Sequence, residues 1–240
     1  MGNATAAVTE DLAPTGVLRA SINLGNPVLA QGTADAPAGI TVDIARELGR
    51  RLGLPVEFRC FDAARKSFEA MAQGSADICF LAVDPARAAE VAFTEPYVLI
   101  EGVYVVPEGS ALSTAAEVDA AGVRIGVKEG SAYDLHLTRE LTDATVVRGA
   151  EGVDVFREQG LEAGAGIRQP ATAYVASHPG VRLVEPAFMQ IRQAVGTTVS
   201  RRPETVAFLR EFVEELKAAG FVADALRRSG QSETLAAPAS

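Results

Sequence analysis

The sequence has 240 residues, 48% of them hydrophobic and 22% charged, with 22 Lys and Arg against 31 Asp and Glu. The formal charge of −9 argues against a nucleic-acid-binding surface, which normally carries a basic excess. Two cysteines are too few for a disulfide scaffold. No apolar run reaches the roughly 18 residues that a membrane-spanning helix needs. The composition is typical of a globular chain with one large domain or two small ones.

The first 14 residues are small and polar and lack the basic start and apolar stretch of a secretion signal. Two localisations stay open at this point. The protein is periplasmic or otherwise extracytoplasmic if a leader has been removed, and cytoplasmic if it has not. We expect residues 1–15 to be flexible and residues 231–240 to form a disordered tail.

The first part of the chain alternates strands and helices. Ile44, Leu48 and Leu52 lie on one face of a helix that follows Asp43 and ends at Gly53. This alternation predicts a parallel sheet covered by helices, with ligands bound at the carboxyl ends of the strands. The predicted elements are a strand at 17–23, a helix at 44–52, a strand at 55–61, a helix at 63–73 and a strand at 76–83.

Residues 97–107 predict one long strand with no helix directly after it. A second extended stretch, 190–199, leads to an amphipathic helix that starts at Pro203 and stops at Gly220. The two long strands bracket a second α/β set, which predicts two lobes joined by two strands. That set has helices at 114–121, 131–141, 150–159 and 170–177 and strands at 123–127, 145–148 and 163–167.

Short motifs along the chain occur in an order shared by one known family. They are Gly39-Ile40-Thr41-Val42-Asp43, Gly74-Ser75-Ala76-Asp77, Arg87 followed by Phe93-Thr94-Glu95-Pro96-Tyr97, Glu129-Gly130-Ser131 after a strand, and Leu216-Lys217-Ala218-Ala219-Gly220. Over about residues 16–230 they resemble the type II periplasmic solute-binding proteins of amino-acid uptake systems, solute-binding family 3. The resemblance implies a periplasmic-binding-protein-like II fold, which is an α/β fold of two lobes that close on a ligand.

The resemblance also implies an organisation and a function. Each lobe is expected to be a sheet flanked by helices. The implied function is capture of a small carboxylate-bearing solute, an acidic amino acid or a dicarboxylate, for an ABC permease. We expect a monomer without enzymatic activity that binds no metal and no cofactor. The lobe boundaries are lobe 1 at 16–102 and 198–230, lobe 2 at 107–193, and the hinge at 103–106 and 194–197.

Arg87 follows the end of an apolar strand, where a cleft opens in a parallel sheet. A guanidinium pairs bidentately with a carboxylate, and the resemblance implies that Arg87 binds the α-carboxylate of the ligand. The alternative is a surface arginine paired with Glu90 or Glu95. The strand before it ends differently from the family pattern, so the carbonyl of Ala82 and the charge of Asp84 are the candidates for a ligand ammonium. Asp84 fits equally well as the cap of a short helix.

The turn at Gly130, Ser131 and Ala132 lies between a strand and a helix start. Free backbone N–H groups and the positive end of the helix dipole make such a turn an anion site, to which the serine hydroxyl adds a donor. Ser131 is alternatively only a helix cap. We expect Ser131 and Ala132 to contact the ligand.

Arg168 occupies the position where the family resemblance implies an aspartate that binds the ligand's amino group. The local charge is therefore inverted. Either Arg168 binds a second anionic group, which makes the ligand acidic, or it pairs with a protein carboxylate such as Asp84. The sequence favours the first alternative slightly. Further candidates for the cleft are Asn23, Asn26, Tyr133 and Gln169, and Glu101 and Tyr104 are candidates for lining the hinge.

Several further residues bear on other classes of function. His136 and His178 have no metal-ligand spacing, Cys60 and Cys79 are expected to be buried thiols, and Gly164 and Gly166 do not complete a nucleotide-binding loop. An enzyme similar to cyclohexadienyl dehydratase is the main alternative, with Asp84, Glu101 and Glu129 as the available acids. A tethered or cytoplasmic ligand sensor is another.

Overall fold

The computed structural model describes residues 5–240, which form two compact units. Unit 1 comprises the chain up to Leu99 and from Arg192 to Ser240, and unit 2 comprises Ile100–Ile191. Two long strands, β6 (Val91–Pro107) and β10 (Val181–Thr198), run from one unit into the other, as the sequence pattern predicts. Within residues 5–240, no helix combines the length and apolarity that crossing a bilayer requires.

Unit 1 is an α/β layer structure whose sheet has the strand order β4-β1-β5-β10. Strands β4, β1 and β5 are parallel, and β10 is antiparallel to β5. Its elements before β6 are α1 (Ala6–Leu12), β1 (Leu18–Asn23), β2 (Gln31–Gly32), β3 (Pro37–Ala38), α2 (Ile40–Leu52), β4 (Val56–Phe61), α3 (Ala64–Ala72), β5 (Ile78–Ala82) and α4 (Pro85–Ala88). After β10 follow α9 (Pro203–Ala218), α10 (Phe221–Arg228) and a 3-10 turn at Glu233–Leu235.

Unit 2 repeats this plan with the strand order β6-β9-β7-β8. Strands β7, β8 and β9 are parallel, and β6 is antiparallel to β9. Its core includes the buried side chains of Val103, Val105, Val155, Phe156 and Leu161. The elements are α5 (Ala115–Val118), β7 (Arg124–Lys128), α6 (Ala132–Glu140), β8 (Thr145–Gly149), α7 (Gly152–Gln159), β9 (Ala163–Ile167) and α8 (Arg168–Ser177).

Helix α2 begins earlier than the apolar spacing predicts, at Ile40. Its N-cap residue, Gly39, has a φ of 101°, and a Cβ there would lie 2.6 Å from the carbonyl oxygen of Leu29. Only glycine tolerates this conformation at such a close approach. Ile44 and Leu48 are fully buried, as the pattern predicts, and the helix ends at Gly53 in the left-handed region.

Both chain ends differ from the sequence prediction. Residues 6–12 form a helix, α1, rather than a flexible segment, because Val8 and Leu12 are buried. Residues 1–4 lie outside the described part of the chain. At the other end, the predicted disordered tail is wrong, since the backbone N–H of Ala237 donates to the carbonyl of Tyr97 at 3.0 Å and Ala237 is 5% exposed. Buried side chains hold α1 in place, and the backbone hydrogen bond of Ala237 holds the C-terminal segment.

Three elements begin earlier than the sequence pattern predicts, and each has a proline near its start. β6 begins at Val91 and continues through Pro96, and β10 begins at Val181 and continues through Pro186. A proline is tolerated in a strand where its missing N–H is not needed by the ladder. Helix α8 begins at Arg168, two residues before Pro170, because the first turn of a helix does not use its own N–H groups. Arg168 is therefore the first residue of a helix.

Candidate functional site

The carboxyl edge of the unit 1 sheet gathers the residues predicted from the first part of the chain. The parallel strands β1, β4 and β5 end at Asn23, Phe61 and Ala82. Helix α4 follows β5 after only two residues, so Asp84 and Arg87 lie at this edge. Ligands of open α/β sheets bind at this edge of the strands.

Arg87 is a buried cation, with 3% of its surface exposed. Its Nη1 donates to the carbonyl oxygen of Ala82 at 3.1 Å. Burial lowers the pKa of the Arg87 guanidinium, and the negative charge of Asp84 opposes this effect. A guanidinium nevertheless keeps its proton at neutral pH. A fixed positive charge with little water around it interacts strongly with a carboxylate.

Asp84 acts as the N-cap of α4. Its Oδ1 accepts a hydrogen bond from the backbone N–H of Ala86 at 2.9 Å, and its surface is 4% exposed. The capping alternative is therefore confirmed. Its charge also acts on Arg87. Contact of Asp84 or of the Ala82 carbonyl with a ligand ammonium stays a prediction.

The two asparagines after β1 use their side-chain oxygens within their own turns. Oδ1 of Asn23 accepts from the N–H of Gly25 at 3.0 Å, and Oδ1 of Asn26 accepts from the N–H of Val28 at 3.2 Å. Asn26 is buried, whereas Asn23 keeps some exposure. Both residues thus fit the turn alternative, and ligand binding by Asn23 stays a prediction.

In unit 2 the parallel strands β7, β8 and β9 end at Lys128, Gly149 and Ile167. Ser131 is the N-cap of α6, and its Oγ accepts from the N–H of Asp134 at 3.0 Å. The N–H of Gly130 donates to Oδ2 of Asp134 at 2.8 Å. The expectation of a free N–H at Gly130 is therefore wrong, because a buried carboxylate already occupies it.

Asp134 also changes the charge of this turn. Its carboxylate is 3% exposed and forms an ion pair with Arg148 at 3.0 Å. Tyr133 is buried, and burial raises the pKa of its phenol, which hydrogen-bonds the side chain of Ser131 and the backbone of Lys128. Tyr133 is therefore part of the packing of α6. Contact of Ser131 and Ala132 with a ligand stays a prediction. The Asp134 carboxylate makes this turn a weaker candidate for anion binding than its sequence suggests.

Arg168 lies at the carboxyl end of β9 and holds two glutamates of its own unit. Its Nη1 and Nη2 donate to the two carboxylate oxygens of Glu185 at 2.5 and 2.8 Å, and its Nε donates to Glu101. The hydrogen bond to Glu185 is the main reason that the pKa of Arg168 is raised, and the same contact lowers the pKa of Glu185. The alternative that Arg168 pairs with protein carboxylates is thus observed, although the partners are not the one predicted.

Antiparallel pairing explains how Glu101 reaches this edge. Gly102 in β6 pairs with Ile167 at the end of β9, so the preceding residue of β6 lies next to the start of α8. Glu185 was missed by the sequence analysis because it belongs to the part of β10 before the predicted strand. An acidic residue beside a proline, Glu185-Pro186, is a weak signal in a sequence. Tyr104 is buried and stacks on Phe188 with ring centroids 4.3 Å apart.

Gln169 follows Arg168 in the first turn of α8. Its side-chain oxygen Oε1 is buried and accepts no hydrogen bond from any described residue.

In the described part of the chain, no three His, Cys, Asp or Glu side chains are grouped as metal ligands. Cys60 and Cys79 are both free thiols. Cys79 is fully buried, as expected, whereas Cys60 is only partly buried.

Known proteins share the sequence pattern and the fold of this chain. A sequence profile of the bacterial extracellular solute-binding proteins, family 3, matches residues 22–231. No curated protein matches the chain. Among solved structures it is similar to a mutant of ArgBP from T. maritima, at 19% identity over 93% of this chain and 99% of that one, with a TM-score of 0.75.

Two further structures show the same fold. One is an amino acid ABC transporter substrate-binding protein from Streptococcus pneumoniae bound to L-arginine, at 15% identity over 93% of this chain and 97% of that one, with a TM-score of 0.74. The other is AncCDT-1, an ancestral amino acid-binding protein and precursor of cyclohexadienyl dehydratase, at 18% identity over 93% and 99%, with a TM-score of 0.74. At such identities the likeness establishes the fold alone.

Proposed function

Because the chain belongs to the bacterial extracellular solute-binding proteins, family 3, we propose that it captures a small carboxylate-bearing solute outside the cytoplasm and delivers it to the permease of an ABC importer. The observation that carries this proposal is Arg87, a buried guanidinium at the carboxyl edge of the unit 1 sheet. A guanidinium held in place at this edge offers a planar fork that pairs bidentately with a carboxylate. Lobe closure stays a prediction from the resemblance.

The prediction of an acidic amino acid or dicarboxylate depends on an available guanidinium at Arg168. Glu101 and Glu185 bind that guanidinium, so Arg168 gives no support to a second anionic group on the ligand. An amino acid with a single carboxylate agrees better with these contacts than an acidic amino acid or a dicarboxylate does. The Streptococcus pneumoniae neighbour is bound to L-arginine and an ancestral arginine-binding neighbour is bound to glutamine, which supports this class.

The proposal is tested by removing the charge of Arg87. In Arg87→Met we expect no detectable binding of L-arginine, L-glutamine or L-glutamate by calorimetry, because the guanidinium is lost while an unbranched side chain of similar stem is kept. The matched control is Arg192→Met, which removes an exposed arginine of the same unit that pairs with Glu95. Thermal unfolding of both variants separates a binding defect from a folding defect. Unchanged affinity in Arg87→Met contradicts the site assignment.

A second experiment identifies the natural solute. Mass spectrometry of protein purified without added ligand is expected to reveal a small molecule with at least one carboxylate. Recovery of a neutral sugar or of a metal chelate as the bound species would contradict the proposal.

The dehydratase alternative has less support. A general acid needs a protonated carboxyl group, which burial supplies by raising the pKa. Two of the candidate acids have other roles, since Asp84 caps α4 and Glu101 binds Arg168. Glu129 is exposed on the loop after β7.

A further inference from the structure

Residues 232–240, here called the strap, lie over one edge of the unit 1 sheet. Within unit 1, strand β6 has β10 as its neighbour on one side, and its pairing with β9 lies in unit 2. On the other side of β6, the backbone N–H of Ala237 donates to the carbonyl of Tyr97 at 3.0 Å, and Val98 and Ala236 form an antiparallel bridge. The strap thus adds a short strand segment to an edge strand of unit 1.

The strap is held to unit 1 by weak contacts. Ala237 is buried, whereas most of the strap is exposed. The other contacts of the strap lie in solvent, and they include an ion pair of Glu233 with Arg227 and a hydrogen bond from the N–H of Ser240 to Glu214 at 2.7 Å. Exposed ion pairs contribute little to stability, and a segment that buries little apolar surface opens at a lower free energy than the core. We therefore expect the strap to detach while the sheet of unit 1 stays folded.

Detachment of the strap uncovers an edge that another strand can join. Tyr97 and Val98 are fully buried beneath it. Because Tyr97 directs its carbonyl toward the strap, the alternation along β6 directs the backbone groups of Glu95 and Leu99 the same way. Pro96 lies between these residues, so its missing N–H does not face this edge. A row of unpaired backbone groups of this kind is a template for pairing with a second chain.

We propose that the strap keeps the protein monomeric, because it occupies an edge at which two copies of this chain would otherwise pair through β6. The bridge between Val98 and Ala236 is antiparallel, so the edge accepts an antiparallel strand. In an antiparallel pair centred on Tyr97, Glu95 of each copy lies opposite Leu99 of the other, an apolar residue rather than a like charge. Such a pair is two-fold symmetric and uses the same surface on both copies. This role goes beyond solute capture and does not depend on it.

The first experiment removes the main-chain donor of the strap and measures the mass of the protein in solution. Ala237→Pro deletes the N–H that bonds Tyr97 and keeps a small side chain at this position. The matched control is Ala239→Pro, which introduces the same ring at an exposed position of the strap. By analytical ultracentrifugation over a concentration series, we expect the intact protein and the control to stay monomeric and Ala237→Pro to form dimers. Thermal unfolding followed by circular dichroism checks that each variant is folded.

Two further variants separate pairing at this edge from non-specific association. A chain shortened to end at Gln231 lacks the strap and should dimerise more strongly. A synthetic peptide of residues 232–240 should return it to the monomer, about five- to tenfold more effectively than a peptide with the Ala237→Pro change, the effect of one backbone hydrogen bond. Glu95→Pro, added to Ala237→Pro, removes an N–H that the β6 pair needs and should abolish the dimer, which is not expected for association of misfolded chains.

Hydrogen exchange of the intact protein tests the release itself. The amide of Ala237 should exchange about a hundredfold faster than the central amides of β1, because the strap opens without unfolding the sheet. Equal exchange rates, or a dimer of the intact protein in which Ala237 is protected, would overturn the proposal. A folded chain without the strap that stays monomeric would overturn it as well. If the shortened chain does not fold, Ala237→Pro decides, and a folded, monomeric Ala237→Pro variant contradicts the proposal.

Discussion

Replacing Asp77 with alanine is expected to destabilise unit 1 strongly. The Asp77 side chain is fully buried, and it accepts hydrogen bonds from the backbone N–H of Arg19 at 2.9 Å and from Nε and Nη2 of the same residue at 3.0 and 2.7 Å. It also accepts from Nη2 of Arg201 at 3.1 Å. One carboxylate thus joins the first strand of the unit to the segment before α9.

The magnitude follows from what the substitution leaves behind. The side chains of Arg19 and Arg201 are 16% and 13% exposed, so both cations lose a partner that water replaces poorly. Removing one member of a buried ion pair costs about 3–5 kcal/mol. We expect about 3 kcal/mol, because both arginines keep some solvent. In a chain of this size that corresponds to a Tm lower by roughly 6–12 °C.

Urea unfolding followed by circular dichroism measures this effect. The matched control is Glu162→Ala, which breaks an ion pair whose side chains are 44% and 38% exposed and should cost less than about 1 kcal/mol. Asp77→Asn, which keeps an acceptor oxygen but no charge, should lie between the two. A cost for Asp77→Ala of under about 1 kcal/mol, equal to that of the control, would refute the argument from burial.

Two more predictions concern titration and reactivity. Hydrogen bonds from the N–H groups of Ala144, Thr142 and Asp143 lower the pKa of Asp119 to about 2. Because the folded pKa lies below the ordinary value of 3.8, its contribution is present above that value and is lost as the pH falls toward 2. Asp119→Asn should therefore cost about 1 kcal/mol at pH 7, and urea curves of variant and parent should converge at low pH; a gap that persists there would count against this. Burial raises the pKa of the Cys79 thiol to about 12, so a thiol reagent at pH 8 should label Cys60 alone until urea is added, and rapid labelling of both would contradict the buried position.

The sequence predicts much of the fold because its signals are local. The apolar spacing of Ile44 and Leu48 predicts α2 without knowledge of any distant residue. The alternation of strands and helices predicts parallel sheets, and with them the edge where Arg87 lies. At two places where the prediction fails, the determining contact lies outside the local pattern. Gly39 starts α2 because of the carbonyl of Leu29, and the tail is ordered by Tyr97.

The same distinction between local signals and distant contacts holds for single residues of the candidate site. The sequence by itself determined that an arginine follows β5 and that another follows β9, since each position is a neighbour of its strand. Only the tertiary structure decided their electrostatic environments. Arg168 meets Glu185, 17 residues away, and Glu101, 67 residues away. Electrostatic interactions act through space, so the net charge around a site depends on which distant strands lie beside it. A local sequence pattern does not show which strands these are.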